Sequence, residues 1–136
     1  MTRYKRPDKK DALSIVNAAK KEMEFTLSLE VTDSSGPTII KNIYECFRML
    51  GDALLVLRGI ESQDHIEPIK ELLELNINTS RPTGAIGNLR ILRHNISYYG
   101  YSPKREEVED VIAIAKDCFK PLLGEVTKRI NNHKNS

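Results

Sequence analysis

The chain has 136 residues, of which 40% are apolar and 29% are charged, a composition typical of globular domains. This length fits one domain that buries a core without disulfides or metal ions. The longest apolar run, residues 53–57, is too short to cross a membrane, and the first residues lack the apolar segment of a signal peptide. We therefore expect a cytoplasmic protein that does not insert into a membrane.

The net charge of +2 is unevenly distributed. Residues 1–10 carry five Lys/Arg and one Asp, and residues 127–136 carry three Lys/Arg and no acid. Basic ends are often solvated, and they also attract polyanions. The sequence predicts basic tails at about residues 1–7 and 131–136.

Apolar residues recur at helical spacing in five segments, and no strand pattern is convincing. The predicted helices span about residues 8–30, 38–58, 65–75, 84–99 and 103–130. Short connections between them favour antiparallel neighbours. The predicted fold is therefore a single all-α domain, an antiparallel bundle of about five helices.

Several residues carry local expectations. Gly51 lies inside the second helix, where it indicates a close helix crossing. Gly59 and Gly100 are natural helix stops, Ser102 is a good N-cap before Pro103, and Pro121 should kink or split the fifth helix.

The apolar faces of the helices predict which side chains are buried. The apolar face of the second helix is wide enough for two neighbours. The fourth helix has a predicted buried stripe of apolar and aromatic residues, namely Ala85, Ile86, Leu89, Leu92, Ile96 and Tyr99. Cys46 and Cys118 fall on apolar stripes and are expected to be buried free thiols.

Residues 76–105 contain five basic residues and no Asp or Glu, although acids are spread through the rest of the chain. The centre of this stretch concentrates groups suited to phosphate and base contacts: Arg90, Arg93, His94, Asn95, Ser97, Tyr98 and Tyr101. Arginine binds phosphate oxygens bidentately, tyrosine stacks on bases, and histidine moves protons near neutral pH. The plainer alternative is a solvated helix face with a tyrosine cluster at its end.

Signals for other chemistry are missing from the sequence. It contains no Gly-rich phosphate loop, no nucleophile elbow and no Cys/His cluster with zinc spacing. We therefore expect no metal ion and no cofactor.

The segment 46–60, an Ala/Leu-rich helix end followed by a glycine, and then His65 and a short helix, resembles the HEPN superfamily. That family continues with an arginine, a polar residue, three further residues and a catalytic histidine. Arg93 and His94 match the first two positions, residues 95–97 fill the spacer, and Tyr98 stands where the histidine is expected. The resemblance covers roughly residues 10–130.

The resemblance implies a helical domain that forms a homodimer, with two motifs facing one cleft. The family includes ribonuclease toxins of toxin–antitoxin systems, partners of small nucleotidyltransferases, and non-catalytic RNA- or nucleotide-binding members. Its ribonucleases hold the scissile phosphate with the arginine and use the histidine as acid or base. Tyrosine at position 98 puts cleavage in doubt, because a phenol titrates near pH 10 and is a poor base near pH 7.

The predicted function is RNA or nucleotide binding without efficient catalysis. One alternative is a metal-independent, toxin-like ribonuclease that uses Arg93 with His94, and another is a purely structural partner of a nucleotidyltransferase. His65 is expected to be structural. The predicted catalytic group is Arg93, His94 and Tyr98, and the predicted nucleic-acid contacts are Arg90, Arg93, Asn95, Tyr98, Tyr101, Lys104 and Arg105.

Overall fold

The computed structural model describes residues 2–4, 6–62, 64 and 66–133. In this part of the chain, two short strands and five helices follow one another in the order β1 (Thr2–Tyr4), α1 (Lys9–Leu27), α2 (Gly36–Leu57), β2 (Ile60–Ser62), α3 (Ile66–Leu73), α4 (Gly84–Tyr99) and α5 (Arg105–Asn132). One core cluster draws buried side chains from all five helices. The predicted all-α bundle of five helices is confirmed.

Helix α2 is the centre of the bundle. It packs against α1, α3, α4 and α5, and thirteen of its 22 residues are buried. A helix that is apolar around most of its circumference must be covered on most sides. The four neighbours cover it within one chain, so the wide apolar face of α2 gives no support to a dimer.

Gly51 allows the backbones of α2 and α3 to touch. A Cβ atom at Gly51 would lie 1.9 Å from the carbonyl oxygen of Pro68, far inside van der Waals contact. Pro68 falls in the first turn of α3, where a missing N–H costs little. The close crossing predicted from Gly51 is confirmed, and α3 is the partner.

Local capping sets the helix ends. The Asp8 side chain accepts a hydrogen bond of 2.9 Å from the Asp11 N–H and starts α1 at Lys9. Gly59 and Gly100 both have positive φ, 77° and 63°, which confirms them as helix stops.

Helix α3 is shorter than predicted. It begins at Ile66, where the Asp64 carboxylate accepts the N–H groups of Ile66 and Glu67, and it ends at Leu73. The prediction for His65 lies outside the described residues.

Helix α5 runs unbroken from Arg105 to Asn132, so Pro121 does not split it in two, and the kink that was predicted as the other outcome stays a prediction. An interior proline costs roughly 3 kcal/mol in an isolated helix. Here Cys118 and Phe119 before the proline and Leu122 and Val126 after it are all buried in the core. Tertiary packing on both sides of Pro121 therefore holds the helix together.

Strands β1 and β2 form a short antiparallel pair that the sequence does not predict, in the register Thr2 to Ser62, Arg3 to Glu61 and Tyr4 to Ile60. Three residues are too few to show an alternating pattern. The predicted tail at residues 1–7 is therefore wrong for residues 2–4. At the other end, Asn131 and Asn132 still belong to α5, and residues 134–136 lie outside the described residues.

Both cysteines are buried free thiols, as predicted. Burial is the main cause that raises the pKa of Cys46 to about 12, and nearby Glu22 and Glu45 add to it. Cys46 therefore stays protonated near neutral pH. Across the described residues, no helix is long and apolar enough to span a membrane.

The substitution Gly51→Ala tests the close crossing. The added methyl group collides with backbone rather than with a flexible side chain, so we expect the free energy of unfolding to fall by about 3 kcal/mol or more. Gly124→Ala is the matched control, because a Cβ atom there meets nothing within 4 Å inside a helix. The control should gain about 0.5–1 kcal/mol. Urea unfolding followed by circular dichroism measures both, and equal stabilities would contradict the crossing.

Candidate nucleic-acid interface

Helix α4 carries most of the predicted site residues. Ile86, Leu89 and Ile96 bury one side of the helix. At its end Gly100 adopts the left-handed conformation, and the N–H groups of Gly100 and Tyr101 both donate to the carbonyl oxygen of Asn95. The backbone of Asn95 therefore anchors the turn that follows the helix.

Arg93 lies against α2 rather than in open solvent. Its guanidinium carbon is 6.0 Å from the ring centroid of Tyr44, which is completely buried. This is the outer limit of a cation–π contact. Burial raises the pKa of Tyr44, while the positive charges of Arg90, Arg93 and Arg48 oppose that rise. Two arginines of α4 thus stand close to one buried phenol at the contact between α2 and α4.

Tyr44 and Arg48 are residues of this region that the sequence analysis missed. Tyr44 lies four residues after Ile40 and three before Phe47, a spacing that places it on the apolar face of α2. Arg48 pairs with Glu45 and Asp52 on the same helix. The spacing of three and four residues with opposite charges was the signal for that pairing.

His94, Tyr98 and Tyr99 form an exposed aromatic cluster at the end of α4. The His94 ring centroid lies 4.7 Å from that of Tyr98 and 5.6 Å from that of Tyr99. Tyr98 and Tyr99 are 67% and 75% exposed. The predicted burial of Tyr99 is wrong, because Tyr99 is the last residue of α4 and lies beyond Ile96, the last buried residue of the helix.

Arg93 and Tyr98 do not share a face of α4. Five residues at about 100° each separate the two side chains by roughly 140° around the axis. His94, four residues before Tyr98, is its true neighbour along the helix. Of the predicted catalytic group, the structure brings His94 and Tyr98 together and turns Arg93 toward Tyr44.

The basic residues of segment 76–105 fall into two classes. Arg81 forms ion pairs with Asp110 at 2.9 Å and Asp117 at 3.5 Å. Arg105 lies 3.6 Å from Glu109, and it donates to the Val31 carbonyl oxygen. The acids of α5 therefore partly neutralise a stretch that is acid-free in sequence.

The remaining three basic residues are Arg90, Arg93 and Lys104. None of them forms an ion pair with the residues that the structure describes. Arg90 and Lys104 are exposed, and Arg93 is half-buried. The positive charges of these three side chains are therefore available to an anion.

Tyr101 has a role in the start of α5. Its hydroxyl donates to the Glu107 carboxylate, which also accepts the Lys104 N–H at 2.9 Å. The N-cap is therefore Lys104, two residues after the predicted Ser102, and Pro103 lies before the helix. Both hydrogen bonds hold the pKa of Glu107 below its usual value, and the same carboxylate raises the pKa of Tyr101.

No protein-family model, curated protein or solved structure matches the chain. Within the described part of the chain, no group of three or more His, Cys, Asp or Glu side chains is placed to hold a metal ion. The site is therefore interpreted from its own geometry.

Tyr101→Phe should destabilise the fold at neutral pH, because it removes the donor that stabilises ionised Glu107. A carboxylate with a lowered folded-state pKa contributes stability above its unfolded value, here near 4.5, and loses it as the pH falls through the folded value. The stability difference between wild type and variant should therefore shrink at about pH 2. Urea unfolding at both pH values measures it, and a difference that is constant with pH would contradict the linkage.

Proposed function

We propose that the chain binds single-stranded RNA, or a nucleotide, on the outward part of α4 and the turn after it, without efficient catalysis. This α4 surface is made of Arg90, Arg93, His94, Tyr98, Tyr99 and Lys104. The observation that carries the proposal is the exposed cluster of Tyr98 and Tyr99 around His94, on a helix whose arginines have no acid partner among the described residues.

The chemistry of the α4 surface suits unpaired bases. Exposed rings are unfavourable in water, and stacking on a base is worth about 1–3 kcal/mol per base. Duplex bases are already stacked, so exposed aromatic side chains favour single strands, loops or free nucleotides. Arg90, Arg93 and Lys104 supply phosphate contacts beside the rings.

The structure changes the weight of individual predicted contacts. Tyr101 already donates to Glu107, and Arg105 is engaged by Glu109 and the Val31 carbonyl. Tyr101 and Arg105 therefore contribute less to the proposed surface than Tyr99, which was predicted to be buried.

The absence of efficient catalysis rests on position 98. A phenol is a poor acid–base group near pH 7. The ribonuclease alternative requires His94 to act instead, and the contacts of His94 with Tyr98 and Tyr99 favour a stacking role for it.

The resemblance to the HEPN superfamily supplies the wider context of the proposal. It implies a homodimer that works with a nucleotidyltransferase, as in a toxin–antitoxin pair. The support for these points is the match of segment 46–60 and of Arg93 and His94 to the family pattern. A purely structural role beside a nucleotidyltransferase would show no salt-dependent RNA binding.

Fluorescence anisotropy with a short unstructured RNA tests the binding surface. Arg93→Ala should weaken binding by about 1–3 kcal/mol, the value of a lost hydrogen bond to a charged group, and Tyr98→Ala by a similar amount. Arg129→Ala is the control with the same charge change at the far end of α5, and it should leave affinity nearly unchanged. Affinities that are equal for wild type, Arg93→Ala and Tyr98→Ala at low salt would rule the surface out.

A cleavage assay in EDTA tests the catalytic side of the proposal. Wild type should bind RNA but cleave it slowly or not at all, while Tyr98→His restores the family spacing and should give some metal-independent cleavage. That activity should disappear when Arg93→Ala is added. Cleavage by wild type that is lost in His94→Ala and kept in Tyr98→Phe would instead make His94 the acid or base.

A further inference from the structure

A groove of about 650 Å³ runs between α1 and α5, and the α4 surface contributes no residue to it. Its apolar floor includes Met23 from α1 and Phe119 and Leu123 from α5. Met23 and Phe119 are almost completely buried, so the floor is closed and no channel leads into the core. The groove is therefore a shallow trough between two helices.

The floor of the groove is held in shape from below. Phe119 packs edge-to-face on Phe47 of the central helix, with ring centroids 5.7 Å apart and an interplanar angle of 69°. Such pairs fix ring orientation as well as burying area. The trough is thus present before anything binds, which lowers the entropic cost of binding.

The rim of the groove is basic. Lys20 on α1 and Lys116 and Lys120 on α5 line it, against one acid, Glu24. The three lysines are exposed, and none of them forms an ion pair with the residues that the structure describes. Lys116 and Lys120 are one turn apart on the same side of α5. An apolar floor with a net positive rim is complementary to an amphipathic partner with acidic flanks.

The dimensions favour a helix as that partner. The lining residues span 20–27 on α1 and 115–123 on α5, about 10–12 Å at 1.5 Å per residue. This length matches two turns of a docked helix, which presents apolar anchors at i, i+3 or i+4, and i+7. A free acyl chain would prefer an enclosed cavity, and the closed floor offers none.

We propose that this groove, which we call the α1–α5 groove, docks an acidic amphipathic helix of a partner protein. Apolar anchors of that helix rest on the partly exposed Leu27 and Leu123, above Met23 and Phe119, and its acidic flanks meet Lys20, Lys116 and Lys120. This surface is independent of RNA binding, since it shares no residue with the α4 surface.

Two synthetic peptides of about 14 residues, roughly four helical turns, test the proposal. Both carry the same leucine anchors, and their flanking residues are all Glu in one peptide and all Lys in the other. The Glu peptide should bind the full chain in an anisotropy titration, and the Lys peptide should bind at least tenfold more weakly. Equal binding of the two peptides, or no binding of the Glu peptide at about 1 mM, overturns the proposal.

Variants locate the binding. Lys116→Glu with Lys120→Glu should weaken the Glu peptide at least tenfold, whereas Lys10→Glu with Lys128→Glu, which changes the net charge equally, should not. Leu123→Gln should weaken it several-fold at unchanged charge. An effect of the charge reversal without an effect of Leu123→Gln would indicate only general attraction of an acidic peptide, and it would overturn a docked helix.

Two further measurements separate other occupants. Stoichiometric binding of dodecanoate that displaces the peptide would assign the groove to an anionic lipid and overturn the proposal. Loss of a dimer by the Lys116→Glu and Lys120→Glu double variant in sedimentation would assign it to a second copy of the chain. RNA affinity of that double variant should match that of the Lys10→Glu and Lys128→Glu control, which has the same net charge, so failure of this proposal is distinguishable from failure of the proposed function.

Discussion

The contact between Gly51 and Pro68 fixes how the second half of the chain sits on the first. Helix α3 has only eight residues, too few to be stable alone, and the backbone contact at Gly51 defines its distance from α2. Helix α4 then packs against both α2 and α3, and a Cβ atom at Gly87 on α4 would lie 3.6 Å from Leu73 of α3. The outward direction of the α4 surface therefore depends on a glycine that takes no part in binding.

Helical periodicity was enough to predict the helices. Each of the other four buries an apolar stripe against α2, and the spacing of the apolar residues in the sequence shows that stripe. Helix α4 was predicted with its observed bounds, and Gly100 with its left-handed conformation. Contacts between distant residues were not predictable in this way. The pairing of Thr2–Tyr4 with Ile60–Ser62 uses backbone groups that every residue has, and the continuity of α5 through Pro121 depends on packing from other helices.

The candidate site shows the same division between local and distant effects. The sequence of segment 76–105 was enough to single out its arginines and tyrosines as candidates. It could not show which of them are paired in the fold with acidic residues from other parts of the chain. Asp110 and Asp117 of α5 form ion pairs with Arg81, and the Glu107 carboxylate accepts a hydrogen bond from the Tyr101 hydroxyl. Which basic and aromatic groups stay available is decided by α5, a helix that begins at Arg105, the last residue of the segment.

Within one chain, Arg93 and Tyr98 lie on different sides of α4. Cleavage needs a phosphate-holding arginine and an acid–base group at the same phosphate. In one chain Arg93 stands over Tyr44 at the contact with α2, while Tyr98 projects to solvent roughly 140° away around the axis. Stacking and phosphate contact have no such requirement, since a flexible strand can reach both groups separately.

A single chain is therefore sufficient for the proposed RNA binding. The family arrangement, in which two motifs face one cleft, is the one that would bring an arginine and residue 98 together. Cleavage accordingly makes two demands on this chain that binding does not, a second copy and a histidine in place of Tyr98. The five-residue spacing between Arg93 and position 98 is that of the family pattern itself, so the non-catalytic proposal depends on the missing histidine and not on the angle around α4.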